Sequence, residues 1–182
     1  MRNYLIVTLA INLFFVSNIR ADVPKWHQHP GNWFKNVFSS PKKGKKTPDI
    51  SVVDINGTAF SLQDAESQYV LLTFWASWCS FCKKDIPEIE KLRDSWAAHD
   101  VSIYAVNVHD DVETAKEFIE TTDIQLEFLF DVDGKTAKKY AISPLPANFL
   151  IEAESGKIIK KWKGRGDVEK IDRFIKSMTE SE

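Results

Sequence analysis

The sequence predicts an α/β fold in which a mixed central sheet is flanked by helices on both faces. Three observations point there. Tyr69-Val70-Leu71-Leu72-Thr73-Phe74-Trp75 is a continuous apolar run, the pattern of a strand buried on both faces. After Cys79 the apolar period switches, with Ile86, Ile89, Leu92 and Trp96 recurring every three or four residues as on an amphipathic helix. Strand-like and helix-like segments then alternate, and the chain closes with two strands and a helix.

The elements follow in order. Asn56-Gly57 between the apolar runs 50–55 and 59–62 predicts a β-hairpin. Residues 69–75 form the buried strand, and the helix begins at Cys79. Residues 101–108 read as a strand, and 112–120 as a helix with Ala115, Phe118 and Ile119 on one side. A short strand at 128–130 precedes a short helix at 135–140, which follows Asp133-Gly134. Residues 149–151 and 158–162 are strands joined through Glu154-Ser155-Gly156-Lys157. The final helix, 168–178, carries Val168, Ile171, Phe174, Ile175 and Met178.

Composition narrows the function. The chain has 182 residues, 43% hydrophobic and 27% charged, which is ordinary globular usage. The net charge of −2 hides a segregation: +2 over 1–21, +5 over 22–47 and −9 over 48–182. An acidic body argues against nucleic acid as a partner. Two cysteines are too few for a four-cysteine zinc site or a disulfide-stapled mini-protein.

Residues 1–21 read as a signal peptide or an N-terminal anchor. Arg2 supplies a positive start, 4–16 are mostly apolar, and polar residues lead to Ala21. The apolar stretch is shorter than the ~20 residues of a spanning helix, which favours cleavage over retention. Either form places the body outside the cytoplasm. Residues 22–47 read as a basic, aromatic-containing linker, and 48–182 as the folded domain. Trp26, Trp33, Phe34 and Phe38 are interleaved with prolines and glycine, and the linker ends in a lysine run. Two readings stay open, a membrane-surface contact and a solvated spacer. His27 and His29 form a weak metal pair without a third ligand nearby.

The chemistry lies in Trp78-Cys79-Ser80-Phe81-Cys82, where a buried strand gives way to a helix. A helix N-terminus exposes unpaired N–H groups and favours a thiolate, so Cys79 suits nucleophilic attack on a disulfide. Cys82, one turn on, suits the resolving role, and the two would pair as a Cys79–Cys82 disulfide. The competing readings are a structural disulfide, a zinc site with His99 and His109, and two inert thiols. The first closes too short a loop to stabilise much. The second lacks the usual histidine spacing. The third sits badly with an exported chain.

The segment Phe74-Trp75-Ala76-Ser77-Trp78-Cys79-Ser80-Phe81-Cys82-Lys83-Lys84-Asp85-Ile86-Pro87 resembles the active-site segment of the thioredoxin superfamily, and more closely its TlpA/ResA/DsbE (CcmG) branch. The match continues through Val106-Asn107-Val108, Phe130-Asp131-Val132-Asp133-Gly134, Ile142-Ser143-Pro144-Leu145-Pro146-Ala147-Asn148-Phe149-Leu150-Ile151 and Gly156-Lys157-Ile158. The resemblance implies a thioredoxin fold with an N-terminal β-hairpin and a central βα insertion. The 63 residues between Cys82 and Pro146 leave room for the insertion. It also implies a cis Leu145–Pro146 bond facing the cysteines, with Trp78, Leu145 and Pro146 shaping a substrate groove. Asp85 stands where relatives carry an acid that tunes the thiols, although an ordinary solvated helix carboxylate is an equal reading.

Three departures stand out. Thr73 replaces a buried Asp of cytoplasmic thioredoxins, Phe81 replaces a proline before the second cysteine, and Pro144 replaces a common glycine. The expected function is that of an extracytoplasmic thiol–disulfide oxidoreductase, in the bacterial periplasm or on the outer face of the cytoplasmic membrane. By family analogy it is a reductant of apocytochrome c or another secreted thiol protein, recycled by a membrane electron donor. No cofactor and no bound metal is expected. The rival readings are a disulfide-forming oxidase and a copper chaperone using the same cysteines. A peroxidase reading lacks its Thr-x-x-Cys setting.

Overall fold

The computed structural model describes residues 40–165 and 167–179. The signal or anchor segment and linker residues 22–39 lie outside the described residues. The order is β1 (Val53–Asp54), β2 (Tyr69–Trp75), α1 (Cys82–Ala97), β3 (Val101–Asn107), α2 (Val112–Glu120), β4 (Glu127–Phe130), α3 (Lys135–Lys139), β5 (Ala147–Glu152), β6 (Lys157–Lys163) and α4 (Val168–Thr179). The strands form one six-stranded sheet in the order β1-β4-β3-β2-β5-β6. β2, β3 and β4 run parallel, while β1, β5 and β6 pair antiparallel with their neighbours.

Alternation along β2 builds both faces. Leu71 and Trp75 point to the side of α1 and α4, where Ile86, Ile89, Trp96, Ile171 and Ile175 are buried. Val70, Leu72 and Phe74 point to the other side, against Val106, Tyr140 and Phe149. A strand with both faces buried needs apolar residues at every position, and the sequence has them. The single polar member, Thr73, is also buried.

α1 contains Pro87, which has no N–H for the Lys83 carbonyl one turn back. An interior proline costs about 3 kcal/mol. Burial of Ile86, Ile89 and Trp96 along the same helix, at about 1.5–3 kcal/mol for each large apolar side chain, outweighs that loss.

The hairpin is shorter than the two apolar runs suggest. Asp54 N donates to Thr58 O (2.8 Å) and Phe60 N to Val52 O (3.1 Å), with one bridge between Val53 and Ala59. The Asp54 carboxylate accepts from Asn56 N and Thr58 N, both at 2.8 Å, and Gly57 takes φ +84° to close the turn. The second arm does not extend to residue 62. The Ser61 hydroxyl accepts from Gln63 N and starts a 3-10 turn at Leu62–Asp64 instead. The first arm becomes β1, pairing Val53 with Phe130 and Asp54 with Leu129.

The expected βα insertion is β4 with α3, lodged between α2 and β5. The Asp131 carboxylate accepts from Thr136 N (3.0 Å) and Ala137 N (2.7 Å), so it caps α3 across the turn. The C-terminal half of the lysine run, read from sequence as linker, lies along the sheet. Gly44 N donates to Ile158 O (2.8 Å), Ile158 N to Lys45 O (3.0 Å) and Thr47 N to Gly156 O (2.7 Å). Among the described residues no helix is long and apolar enough to cross a membrane.

Candidate active site

β2 ends at Trp75, and the chain reaches Cys79 through a short turn in which Cys79 N donates to Ala76 O at 3.1 Å. The continuous helix starts at Cys82, three residues later than the apolar period suggests. Lys83 N nonetheless donates to Cys79 O at 3.2 Å, so Cys79 sits on the first turn. Cys79 and Cys82 are disulfide-bonded, with Cα atoms 5.3 Å apart. Their exposure differs: Cys82 is fully buried, and Cys79 retains 6% of its surface. Cys82 N donates to Cys79 Sγ at 3.2 Å. That N–H, with the partial positive charge of the helix start, is placed to steady negative charge on Cys79.

The turn before Cys79 is tied to the loop after β3. Asp110 accepts from Ser77 N, from Ser77 Oγ (2.8 Å), from Asn107 Nδ2 (2.9 Å) and from its neighbour Asp111 N (3.0 Å). The Trp78 indole N–H donates to the His109 carbonyl at 2.8 Å. The ring is 63% exposed, so this bond holds it in place over the disulfide end of the sheet. Sequence reasoning missed the Asp110 tie. Its neighbour Asp111 caps α2 instead, through Thr114 N at 3.0 Å.

Leu145 and Pro146 immediately precede β5, whose Ala147 pairs with Phe74 near the end of β2. They therefore lie at the same end of the sheet as Cys79. The Leu145–Pro146 bond is cis, and so is Ser143–Pro144, which the sequence did not suggest. Pro146 is buried and its carbonyl accepts from Gly164 N at 2.8 Å. Leu145 is partly buried against both core clusters. Phe81, 38% exposed, is covered by the Arg165 guanidinium 5.2 Å from its ring centroid.

Asp85 lies on the first turns of α1, one residue past the helix position of Lys84. Its Oδ2 is buried without a hydrogen-bond partner among the described residues. Burial, and then the charge of Asp167, pushes its carboxyl above the usual range. Asp167 is itself buried and paired with Lys170 at 2.8 Å. This is not the setting of a freely solvated carboxylate. His109 lies near the site through its carbonyl, and burial is the main cause of an imidazole pKa below the usual value. His99 follows the end of α1, away from the cysteines. His27 and His29 fall outside the described residues. Among the described residues no three His, Cys, Asp or Glu side chains gather to hold a metal ion.

A dithiol pair at a strand-to-helix junction, beside a cis proline in a mixed sheet, is the chemistry of a thiol–disulfide oxidoreductase with the thioredoxin fold. The comparisons agree. The AhpC/TSA family model matches residues 43–161. A thiol–disulfide oxidoreductase ResA of Bacillus cereus is 30% identical over 149 residues, covering 80% of this chain and 86% of the relative. ResA of Bacillus subtilis is 32% identical over 121 residues, covering 66% of this chain and 67% of the relative. Among solved structures, a putative thiol:disulfide interchange protein DsbE from Chlorobium tepidum superposes with a TM-score of 0.69 at 28% identity, covering 76% and 98% of the two chains. StoA from Bacillus subtilis gives 0.60 at 26% identity, over 71% and 98%. The chain belongs to the AhpC/TSA family, within its thioredoxin-like thiol–disulfide oxidoreductases.

Proposed function

We propose that the protein is an extracytoplasmic reductant of protein disulfides, with Cys79 as nucleophile and Cys82 as resolving thiol. The observation that carries the roles is the asymmetry of the pair. Cys79 retains surface and receives the Cys82 N–H, while Cys82 has no surface at all. The Cys79 thiolate attacks one sulfur of a substrate disulfide, and the other substrate sulfur leaves as a thiolate and takes a proton. Cys82, deprotonated, then attacks Cys79 Sγ and releases the second substrate thiol. Two electrons pass to the substrate and the Cys79–Cys82 disulfide forms. Trp78, Leu145 and Pro146 form the walls that an extended substrate segment would meet.

The reducing direction draws on two supports. One is the likeness to proteins named ResA and DsbE. The other is the buried Asp85 carboxyl, whose charge would disfavour a thiolate nearby and so lower the potential of the pair. Apocytochrome c is the substrate class this family likeness favours, with a membrane electron donor to re-reduce the pair. The export reading of residues 1–21 sets the compartment.

The test is the reduction potential, read by equilibrating the purified protein in graded thiol–disulfide buffers and counting trapped thiols. A value near the roughly −270 mV of thioredoxin supports a reductant. A value near the roughly −120 mV of DsbA overturns it in favour of disulfide formation.

A further inference from the structure

β6 is the outer strand of the sheet. Residues 44–47 run along its first half, with Lys46 opposite Lys157 in an antiparallel bridge. The two segments 40–47 and 156–165 together hold nine basic residues and no acidic one. In the remaining described residues, acidic side chains outnumber basic ones by twelve. The charge division noticed in the sequence is thus a division in space, with the cations gathered on one edge.

None of the eight lysines on that edge (42, 43, 45, 46, 157, 160, 161 and 163) forms an ion pair among the described residues. Lys91, Lys116, Lys135, Lys139, Lys170 and Lys176 elsewhere all do. Lys42, Lys43, Lys45, Lys46 and Lys157 are exposed. Lys160 rests over the Phe174 ring at 4.7 Å, and Lys161 donates to the Pro41 carbonyl at 2.9 Å. Burial, and then the charge of Lys161, pulls the Lys163 ammonium below its usual pKa.

Lysines on an edge strand also serve to block strand addition from another molecule. That duty does not account for this edge. Its first half is already covered by 44–47, which adds the exposed Lys45 and Lys46, with Lys42 and Lys43 exposed just before them.

We propose that the β6 edge with the 42–46 lysine run is a docking surface for an anionic phospholipid membrane. Charge complementarity selects an anionic partner. Lipid is favoured over an acidic protein by what the chain brings to the same place. Ser40, at the start of the described chain, lies beside Lys161 on this edge, with Oγ 3.4 Å from its ammonium. Residues 22–39, present whether or not 1–21 is removed, carry Trp26, Trp33, Phe34 and Phe38 and a single acid, Asp22. Aromatic residues on a segment that joins the lysine edge at Ser40 suit an interface between water and anionic lipid. β6 runs toward the cysteine end, where Gly164 N meets Pro146 O. Docking itself does not depend on the redox direction proposed above.

The test is co-sedimentation of the full chain with vesicles of phosphatidylglycerol and phosphatidylcholine, against vesicles of phosphatidylcholine alone. The expected result is at least about tenfold tighter binding to the anionic vesicles at low salt. That preference should vanish near about 0.5 M salt, where the Debye length is a few ångströms. Replacing Lys42, Lys43, Lys45, Lys46 and Lys157 by Gln should abolish the preference while dithiol turnover persists. The single Lys43→Glu variant should weaken it several-fold, which guards against misfolding of the multiple variant. Equal binding to both vesicles overturns the proposal. So does a preference that survives the five substitutions, or one that soluble polyglutamate at equal charge removes more effectively than lipid does. Cys79→Ser must bind vesicles as the unaltered chain does, so failure here and failure of the redox reading are separate results.

Discussion

Asp110 grips Ser77 twice, by its backbone N–H and by its hydroxyl, across 33 residues of sequence. Ser77 stands two residues before Cys79, the proposed nucleophile, so a carboxylate from the loop after β3 holds the turn that carries Cys79. Two further donors, Asn107 Nδ2 and Asp111 N, hold that carboxylate still.

Asp110→Ala should therefore loosen the turn that carries Cys79. Hydrogen bonds to a charged acceptor contribute about 1.5–3 kcal/mol each, and their loss leaves buried donors unpaired. The expected cost is about 2–4 kcal/mol in a urea titration. Turnover should fall by more than the unfolded fraction explains. Turnover equal to the unaltered protein under folded conditions would show that the tie does not position Cys79.

Asp85→Asn tests the buried carboxyl. Its folded pKa is raised by burial first and Asp167 second. A raised acid favours the fold while protonated, below its unfolded value near about 3.9. That advantage is lost as pH rises through the folded pKa. The Asn variant should accordingly be the more stable protein at pH 7, with the gap closing as the pH falls toward 4. Thermal unfolding across that range checks it. The same variant should lower the Cys79 thiol pKa and raise the reduction potential, and unchanged thiol titration would remove Asp85 from the redox account.

Asp131→Ala should separate fold from chemistry. Its carboxylate is buried and caps α3 through two N–H groups. Burial pushes its pKa up, and the two N–H bonds oppose that. Loss of the cap should cost about 1–3 kcal/mol. Stability should fall by that amount in denaturant titration, while the reduction potential of the pair stays where it was.

Trp78→Ala should do the reverse. The ring is largely in solvent and has one hydrogen bond, to the His109 carbonyl. Its removal should cost less than about 1 kcal/mol of stability. The KM for a protein disulfide should rise, and a small-molecule disulfide should be reduced nearly as before. Equal losses on both substrates would argue against a groove role.

How much of this was legible depended on what carries the signal. β2 announced itself because both faces are buried and every position but Thr73 is apolar. α1 announced itself through Ile86, Ile89 and Trp96, although its start moved to Cys82 because the turn at Ala76 and Cys79 comes first. The cis Leu145–Pro146 bond was legible only by resemblance, and the cis Ser143–Pro144 bond not at all. The hairpin's second arm misled, since an apolar run says nothing of a Ser61 hydroxyl taking Gln63 N. Two features stayed hidden for related reasons. The pairing of residues 44–47 with β6 runs through backbone groups, which every sequence has. The Asp110 tie joins residues 33 apart, and no local pattern encodes that distance.

The cleft around the sulfurs is thus framed by two cross-links between distant loops. Ser77 hangs from Asp110 on one side, and Gly164 from Pro146 on the other. Four connections meet there, and each must have the right number of residues to reach its partner. Side chains on the outer helix faces are free to drift, whereas a one-residue insertion at 76–78, 108–111, 142–146 or 164–167 shifts a frame member against the disulfide. In this scaffold loop length is the constrained quantity, and families of such proteins should vary in composition around the cleft far more readily than in spacing.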